Sequence, residues 1–184
     1  MNYNVQPLRT MEEIQDFQFW LRRTTYAERD SFLFLFGINN GLRMSDIIKL
    51  RVGDICGIDK PVIVEQKTGK RKPIFIDNLR EEISIYTEGK ENHEWLFPSR
   101  QQGGHITRDR VYQIYADVAK KLERTDIGTH TLRKTFGYHY YKRTKDIATL
   151  MFIFNHSSQA ITKRYIGITE DEIGASLRGF KLGG

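Results

Sequence analysis

Apolar positions recur every three or four residues along most of this chain, and every second residue in one short central stretch. Thr10-Met11-Glu12-Glu13 has the form of a capping box, and Met11, Ile14, Phe17 and Leu21 follow it at helical spacing, predicting a helix to about Arg23. A second helix is predicted from Ala27 to Asn39; its centre, Phe32 to Ile38, is apolar on every side and so reads as the buried helix of the core. Asn39-Asn40-Gly41 stops it, and Leu42 to Leu50 follows as a short amphipathic helix. The period then changes. Pro61–Glu65 and Pro73–Ile76 read as strands joined by a Lys67-Thr68-Gly69-Lys70 turn, with Cys56 to Asp59 as the end of a third short strand. Helical spacing returns over Leu79–Thr87. Trp95-Leu96-Phe97-Pro98 is an extended apolar patch, and Gln101-Gln102-Gly103-Gly104 is a loop. Thr107 caps a helix to about Leu122, and further helices are predicted over Thr129–Tyr141, Asp146–Phe154 and Glu170–Leu177. The fold class is α+β, mostly α-helical, with one small antiparallel β-sheet.

Composition narrows this reading. The 184 residues, 39% hydrophobic and 28% charged, suit one globular domain with a real core. The longest apolar run is too short to span a bilayer, and the acidic N-terminal region shows no signal peptide. One cysteine, Cys56, excludes an internal disulfide and suits a reducing cytoplasm. No Cys/His group has zinc-ligand spacing and no carboxylate group is placed for magnesium, so neither metal nor cofactor is expected.

The net charge of +6 is unevenly placed. Lys120 to Lys145 is strongly basic and includes Arg133 and Lys134, while Lys67, Lys70, Arg71 and Lys72 form a second cluster without an acid. Acids gather at Glu12–Asp16, Glu81–Glu94 and Glu170–Glu172. Such segregation predicts a polyanion-binding face, or else an ordinary solvated surface.

Six residues in four stretches of the chain could carry chemistry on such a face. His130 and Arg133 stand three apart at a helix start, and so share one face. Arg43 follows a Gly-Leu turn at another helix start; its plain alternative is an i,i+3 pair with Asp46. Lys67 sits at a hairpin tip. His156 precedes Tyr165 by nine residues, which on one unbroken helix would place them on opposite faces. Asn155-His156-Ser157-Ser158 is poor helix interior and good N-cap material, so the helix should restart near Ser157 or Ser158 and let both rings face one pocket. Two arginines can neutralise a phosphodiester, histidines can bind its oxygens or move a proton, a lysine can protonate a leaving alkoxide, and a tyrosine can attack in line.

Gly41-Leu42-Arg43, Lys67-Thr68-Gly69, His130-Thr131-Leu132-Arg133 and His156 with Tyr165 together resemble the catalytic signature of the tyrosine recombinases, the phage integrase family. The resemblance runs from about residue 10 to 178. It implies that Tyr165 forms a 3′-phosphotyrosyl link, that Arg43, Arg133 and His156 hold the phosphate, that His130 assists proton transfer and that Lys67 is the general acid. It implies double-stranded DNA as partner, with Lys70, Arg71, Lys72 and Lys134 as further DNA contacts. A homotetramer on DNA, a monomer in free solution and no membrane contact follow as well. The chain is expected to be a single catalytic domain, residues 1–184, without the N-terminal core-binding and arm-binding domains, and with residues 166–184 as a tail that docks on a neighbouring protomer. Asp46 stands where glutamate is usual, and Asn155 where glycine is usual before the histidine. A non-cutting DNA-binding protein of the same fold, or a type IB-like topoisomerase, would share most of these features.

Overall fold

The computed structural model describes residues 5–100 and 103–181. Its helices are α1 Met11–Leu21, α2 Ala27–Asn40, α3 Met44–Ile47, α4 Arg80–Thr87, α5 Arg108–Lys121, α6 Thr131–Thr144, α7 Ile147–Phe154, α8 Gln159–Tyr165 and α9 Ile168–Leu177. The strands β1 Val62–Val64 and β2 Arg71–Pro73 form an antiparallel pair with Ile63 opposite Lys72. No helix among the described residues is long and apolar enough to cross a membrane.

The helix α2 lies at the centre because its middle, Phe32 to Ile38, leaves no polar face to show to water. Phe32, Leu33, Phe34 and Phe36 are all buried, stacked among Phe17, Tyr86 and Phe97. Each such side chain contributes roughly 1.5–3 kcal/mol on burial, far more than helix propensity could. Around α2 stand α1, α3, α4 and α6. A second, smaller cluster of Tyr138, Tyr141, Ile147, Leu150, Phe154, Ile166 and Ile168 joins α6 to α7 and the helices after it. The caps read from sequence form: Thr10 accepts from the Glu13 amide at 3.1 Å with the box closed by the Glu13 carboxylate, and Thr107 accepts from the Arg110 amide at 3.1 Å.

Several boundaries differ from the sequence reading. The second strand is Arg71–Pro73 rather than Pro73–Ile76; Ile74 and Ile76 are buried, but only Ile74 N–H still reaches across, to the Pro61 carbonyl. No third strand forms at Cys56–Asp59; a 3₁₀ turn at Val52–Asp54 precedes it, and Arg51 instead bridges the extended Trp95. The helix expected over Leu42–Leu50 is confined to α3, while α6 continues to Thr144 until Lys145 adopts the left-handed conformation. The helix α9 begins at Ile168, before Glu170. Of the expected loop at residues 101–104, Gln101 and Gln102 lie outside the described residues.

Two glycines set the approach of helices to the site. Gly41, at φ +65°, ends α2 under the Phe136 ring, where a Cβ would lie 2.5 Å from a ring carbon. Gly137 lets Phe154 and Ile166 come within 2.8 and 2.6 Å of where its Cβ would be. Gly41→Ala should therefore lower unfolding stability by about 2 kcal/mol or more, through left-handed strain plus overlap. Urea denaturation measures this, and an unchanged midpoint would refute the packing account.

Candidate active site

The site is assembled by one arginine from inside. Arg133, in the first turn of α6, is 4% exposed. Its Nη1 donates to the Gly41 carbonyl at 2.6 Å and its Nη2 to the Phe154 carbonyl at 2.9 Å, so one guanidinium joins the ends of α2 and α7. The group also lies over the Phe154 ring at 4.3 Å.

Arg43 precedes α3 and points toward the hairpin. It does not pair with Asp46; its Nη1 donates to Glu65 Oε1 at 2.8 Å. Asp46 is buried and accepts instead from the Gln66 amide at 2.9 Å, fastening the start of the hairpin turn to α3. The period of two along β1 turns Ile63 and Glu65 inward, and the register brings Lys72 to the same face. Glu65 is 3% exposed, accepts from Thr68 Oγ1 at 2.8 Å and lies 3.8 Å from Lys72 Nζ. Lys72 Nζ also donates to the Ile153 carbonyl. Burial, then the charge of Arg133, brings the Lys72 amine down to about 8. Hydrogen bonding by Thr68, with the nearby Arg43 and Lys72 charges, outweighs burial and holds Glu65 below the ordinary carboxylate range.

The chain reversal that delivers His156 has a definite mechanism. Asn155 adopts φ 54°, ψ 49°; its N–H donates to the Phe152 carbonyl at 3.2 Å and the His156 N–H to Met151 at 2.9 Å. This is a Schellman closure, with asparagine in the left-handed position that glycine usually fills. Ser158 then caps α8, accepting from the Ile161 amide at 3.2 Å. The helix restarts at the serine the sequence pointed to, and His156 and Tyr165 come to face each other with ring centroids 5.1 Å apart.

His156 Nδ1 lies 3.1 Å from Thr162 Oγ1, whose own proton goes to the Ser158 carbonyl. Nδ1 is therefore the donor, and Nε2 is left for a ligand. The Tyr165 hydroxyl lies 3.1 Å from His130 Nδ1. Burial raises the Tyr165 phenol above its ordinary value, while Arg133 and Arg43 pull it the other way. Burial and neighbouring cations, Arg133 first, lower both His130 and His156, which favours the neutral imidazole, a form able to accept a proton.

The arrangement thus brings Arg43, His130, Arg133, His156 and Tyr165 together. Lys67 is not among them: it stands exposed at the hairpin tip, and Lys70 and Arg71 are exposed beside it. Lys134 is half-buried, donates to the Val5 carbonyl at 2.7 Å and lies 5.2 Å from the Tyr165 ring centre. Sequence reasoning missed Glu65 altogether and grouped Lys72 with its exposed neighbours. The alternation Ile63, Glu65 against Lys72, Ile74 was the available signal.

Two outcomes follow. Asn155→Gly should change stability by no more than about 1 kcal/mol, whereas Asn155→Val, strained at positive φ, should lose about 1–2 kcal/mol in thermal unfolding. The second concerns acid. Both histidines have folded values below the unfolded value of ~6.5, so their contribution is complete above that pH and is lost as pH falls through the folded values. Stability should fall as pH drops below about 6.5, and a His130→Gln, His156→Gln double variant should flatten that slope in urea titrations.

A model of the phage integrase family matches residues 9–172. The chain is 47% identical over 177 residues to a protein of Bacillus subtilis (strain 168) named "Probable integrase/recombinase YoeC", covering 96% of this chain and 97% of that one. It spans about half the length of the XerC and XerD tyrosine recombinases it matches, covering 48% of one XerD and 51% of one XerC. Among solved structures, the XerA recombinase superposes with TM-score 0.71 at 14% identity, over 99% of this chain and 66% of that chain. A lambda integrase dimer bound to a COC′ core site superposes with TM-score 0.68 at 16% identity, over 100% and 64%. Those structures share the fold, and the family match runs from just ahead of α1 past the tyrosine into α9. The chain belongs to the phage integrase family, the site-specific tyrosine recombinases.

Proposed function

We propose that this chain is a DNA strand transferase that cuts and rejoins double-stranded DNA through a covalent phosphotyrosine, without a metal. The observation that carries the reading is the Tyr165 hydroxyl, 3.1 Å from His130 and set in a cradle of two arginines and a second histidine. The phenolic oxygen attacks phosphorus and its proton passes to His130. Arg43 and Arg133 stabilise the charge gained on the non-bridging oxygens, and His156 binds one of them through Nε2. The P–O5′ bond breaks as Lys67 supplies a proton to the departing oxygen, leaving a 3′-phosphotyrosyl ester and a 5′-hydroxyl. A 5′-hydroxyl from another strand reverses the step. Lys67 reaches that oxygen when the exposed hairpin tip folds over DNA.

Lys70, Arg71 and Lys72 on the hairpin, with Lys134 beside the nucleophile, are proposed as DNA contacts. Recombination as such joins two duplexes, for which we assign a tetramer on DNA formed from monomers, acting in the cytoplasm. In α9, Asp171 and Glu172 accept from Tyr138 and Tyr141 of the same chain at 2.8 and 2.9 Å, so these acids are engaged internally. Of the tail expected over residues 166–184, Ile166 and Ile168 are buried in this chain's own second cluster, while the apolar Ile173, Leu177 and Phe180 stay exposed, and we assign these three to docking on a neighbouring protomer. The whole chain is read as the catalytic domain of this machinery.

A nicked suicide duplex, which loses its short 5′-hydroxyl strand on cleavage, should trap a protein–DNA adduct on a denaturing gel. Tyr165→Phe should abolish the adduct, and Arg43→Ala or Arg133→Ala should slow its formation by at least about 10²-fold. An adduct that survives in Tyr165→Phe overturns the assignment. Relaxation of supercoiled DNA without recombinant products would instead make the chain a topoisomerase.

A further inference from the structure

We propose that Lys72 is a further catalytic residue, an ammonium that binds the scissile phosphate beside Arg43, and that Glu65 holds this place in the absence of DNA. The inference rests on the strand-transfer reading and goes beyond it, since that reading gives Lys72 a DNA contact but no part in the chemistry. Arg43 and Lys72 converge on the same oxygen, Glu65 Oε1, at 2.8 and 3.8 Å. A carboxylate oxygen gripped by one arginine and approached by a lysine stands in for a non-bridging phosphate oxygen, which has similar size and charge. Any anion that takes over Arg43 from Glu65 therefore comes within reach of Lys72 as well.

The surroundings support an acquired anion rather than a finished ion pair. Lys72 is half-buried on the inward face of the hairpin, among the charges of Arg133 and Arg43, opposed by Glu65 and more weakly by Asp46. Its amine is fixed to the Ile153 carbonyl, three residues before His156. The cleft lined by Glu65, Lys70, Arg71, Lys72, Asn155 and His156 encloses about 470 Å³, so the phosphate ligand His156 and Lys72 share one opening. Glu65 also accepts from Thr68, next to Lys67. When phosphate displaces Glu65 from Arg43, it loosens the turn that carries the proton donor. Lys72 transfers no proton in this scheme.

The rival account is that Lys72 only ties the hairpin to α7. Lys72→Gln can still donate to Ile153 but carries no charge, and Lys72→Arg keeps the charge. Single-turnover cleavage of the suicide duplex should fall about 10²-fold in Lys72→Gln and stay within about 10-fold of the parent in Lys72→Arg. A 5′-bridging phosphorothiolate duplex, whose thiolate leaves unprotonated, should rescue Lys67→Ala but not Lys72→Gln. With that duplex at subsaturating concentration, the parent rate should decline above about pH 8 as free Lys72 loses its proton. The decline should move to lower pH in Glu65→Gln, which withdraws the opposing charge, and vanish in Lys72→Arg.

Lys72→Gln cleaving like the parent, rescue of Lys72→Gln by sulfur, or an alkaline decline that survives in Lys72→Arg would each overturn the proposal. A parent chain that forms no adduct would sink the strand-transfer reading by itself. Lys72 is then judged by DNA binding in Tyr165→Phe, where Lys72→Gln should reduce the slope of log affinity against log salt by about 1. An unchanged slope overturns the role, whatever the state of catalysis.

Discussion

Burial of the Arg133 guanidinium is the constraint on which the rest depends. A charge taken out of water must be matched by acceptors in fixed places, and here they are main-chain carbonyls at the ends of α2 and α7. Those carbonyls belong to helix ends whose own hydrogen bonding is incomplete, so each need meets the other. The end of α2 leads directly to Arg43, and the end of α7 to His156. One side chain thereby sets the separation of the two segments that carry Arg43 and His156.

Around this tie the members of the cradle already have partners within the chain. Arg43 rests on Glu65, Lys72 on Glu65 and Ile153, His156 on Thr162, and Tyr165 on His130. Without such partners the clustered cations would repel one another and the fold would loosen at the place that needs most precision. On the function proposed above, DNA enters by exchange, taking over existing contacts rather than filling a bare charged hollow. Exchange favours an anion that satisfies several donors together, which a phosphodiester does and a chloride ion does not.

Much of this was legible in the sequence because local chemistry fixed it. Capping at Thr10 and Thr107, the continuous apolar run of α2 and the serine restart before Tyr165 are short-range signals, and each produced the element expected. Reading His130, Arg133, Arg43, His156 and Tyr165 as one set also anticipated their convergence. What the sequence hid was long-range pairing. Arg43 has Asp46 three residues on but finds Glu65 twenty-two residues away, because Asp46 is engaged by the Gln66 amide. Lys72 sits in a run of exposed basic residues, and only the register with Ile63 turns it inward. The second strand was misplaced for a related reason. Ile74 and Ile76 are apolar and alternate like a strand, but burial rather than a ladder satisfies them.

The turn at Asn155 and the cap at Ser158 make α8 a crank of fixed length. Tyr165 closes its last turn, and each residue added or removed between cap and phenol would swing the ring by about 100° about the helix axis, away from His130. Gln159, Ala160, Ile161 and Arg164 face outward, so their identities are nearly free while their number is not. Lineages descending from this chain should accordingly drift in spelling along α8 yet keep its residue count, and tolerate gaps only beyond the tyrosine.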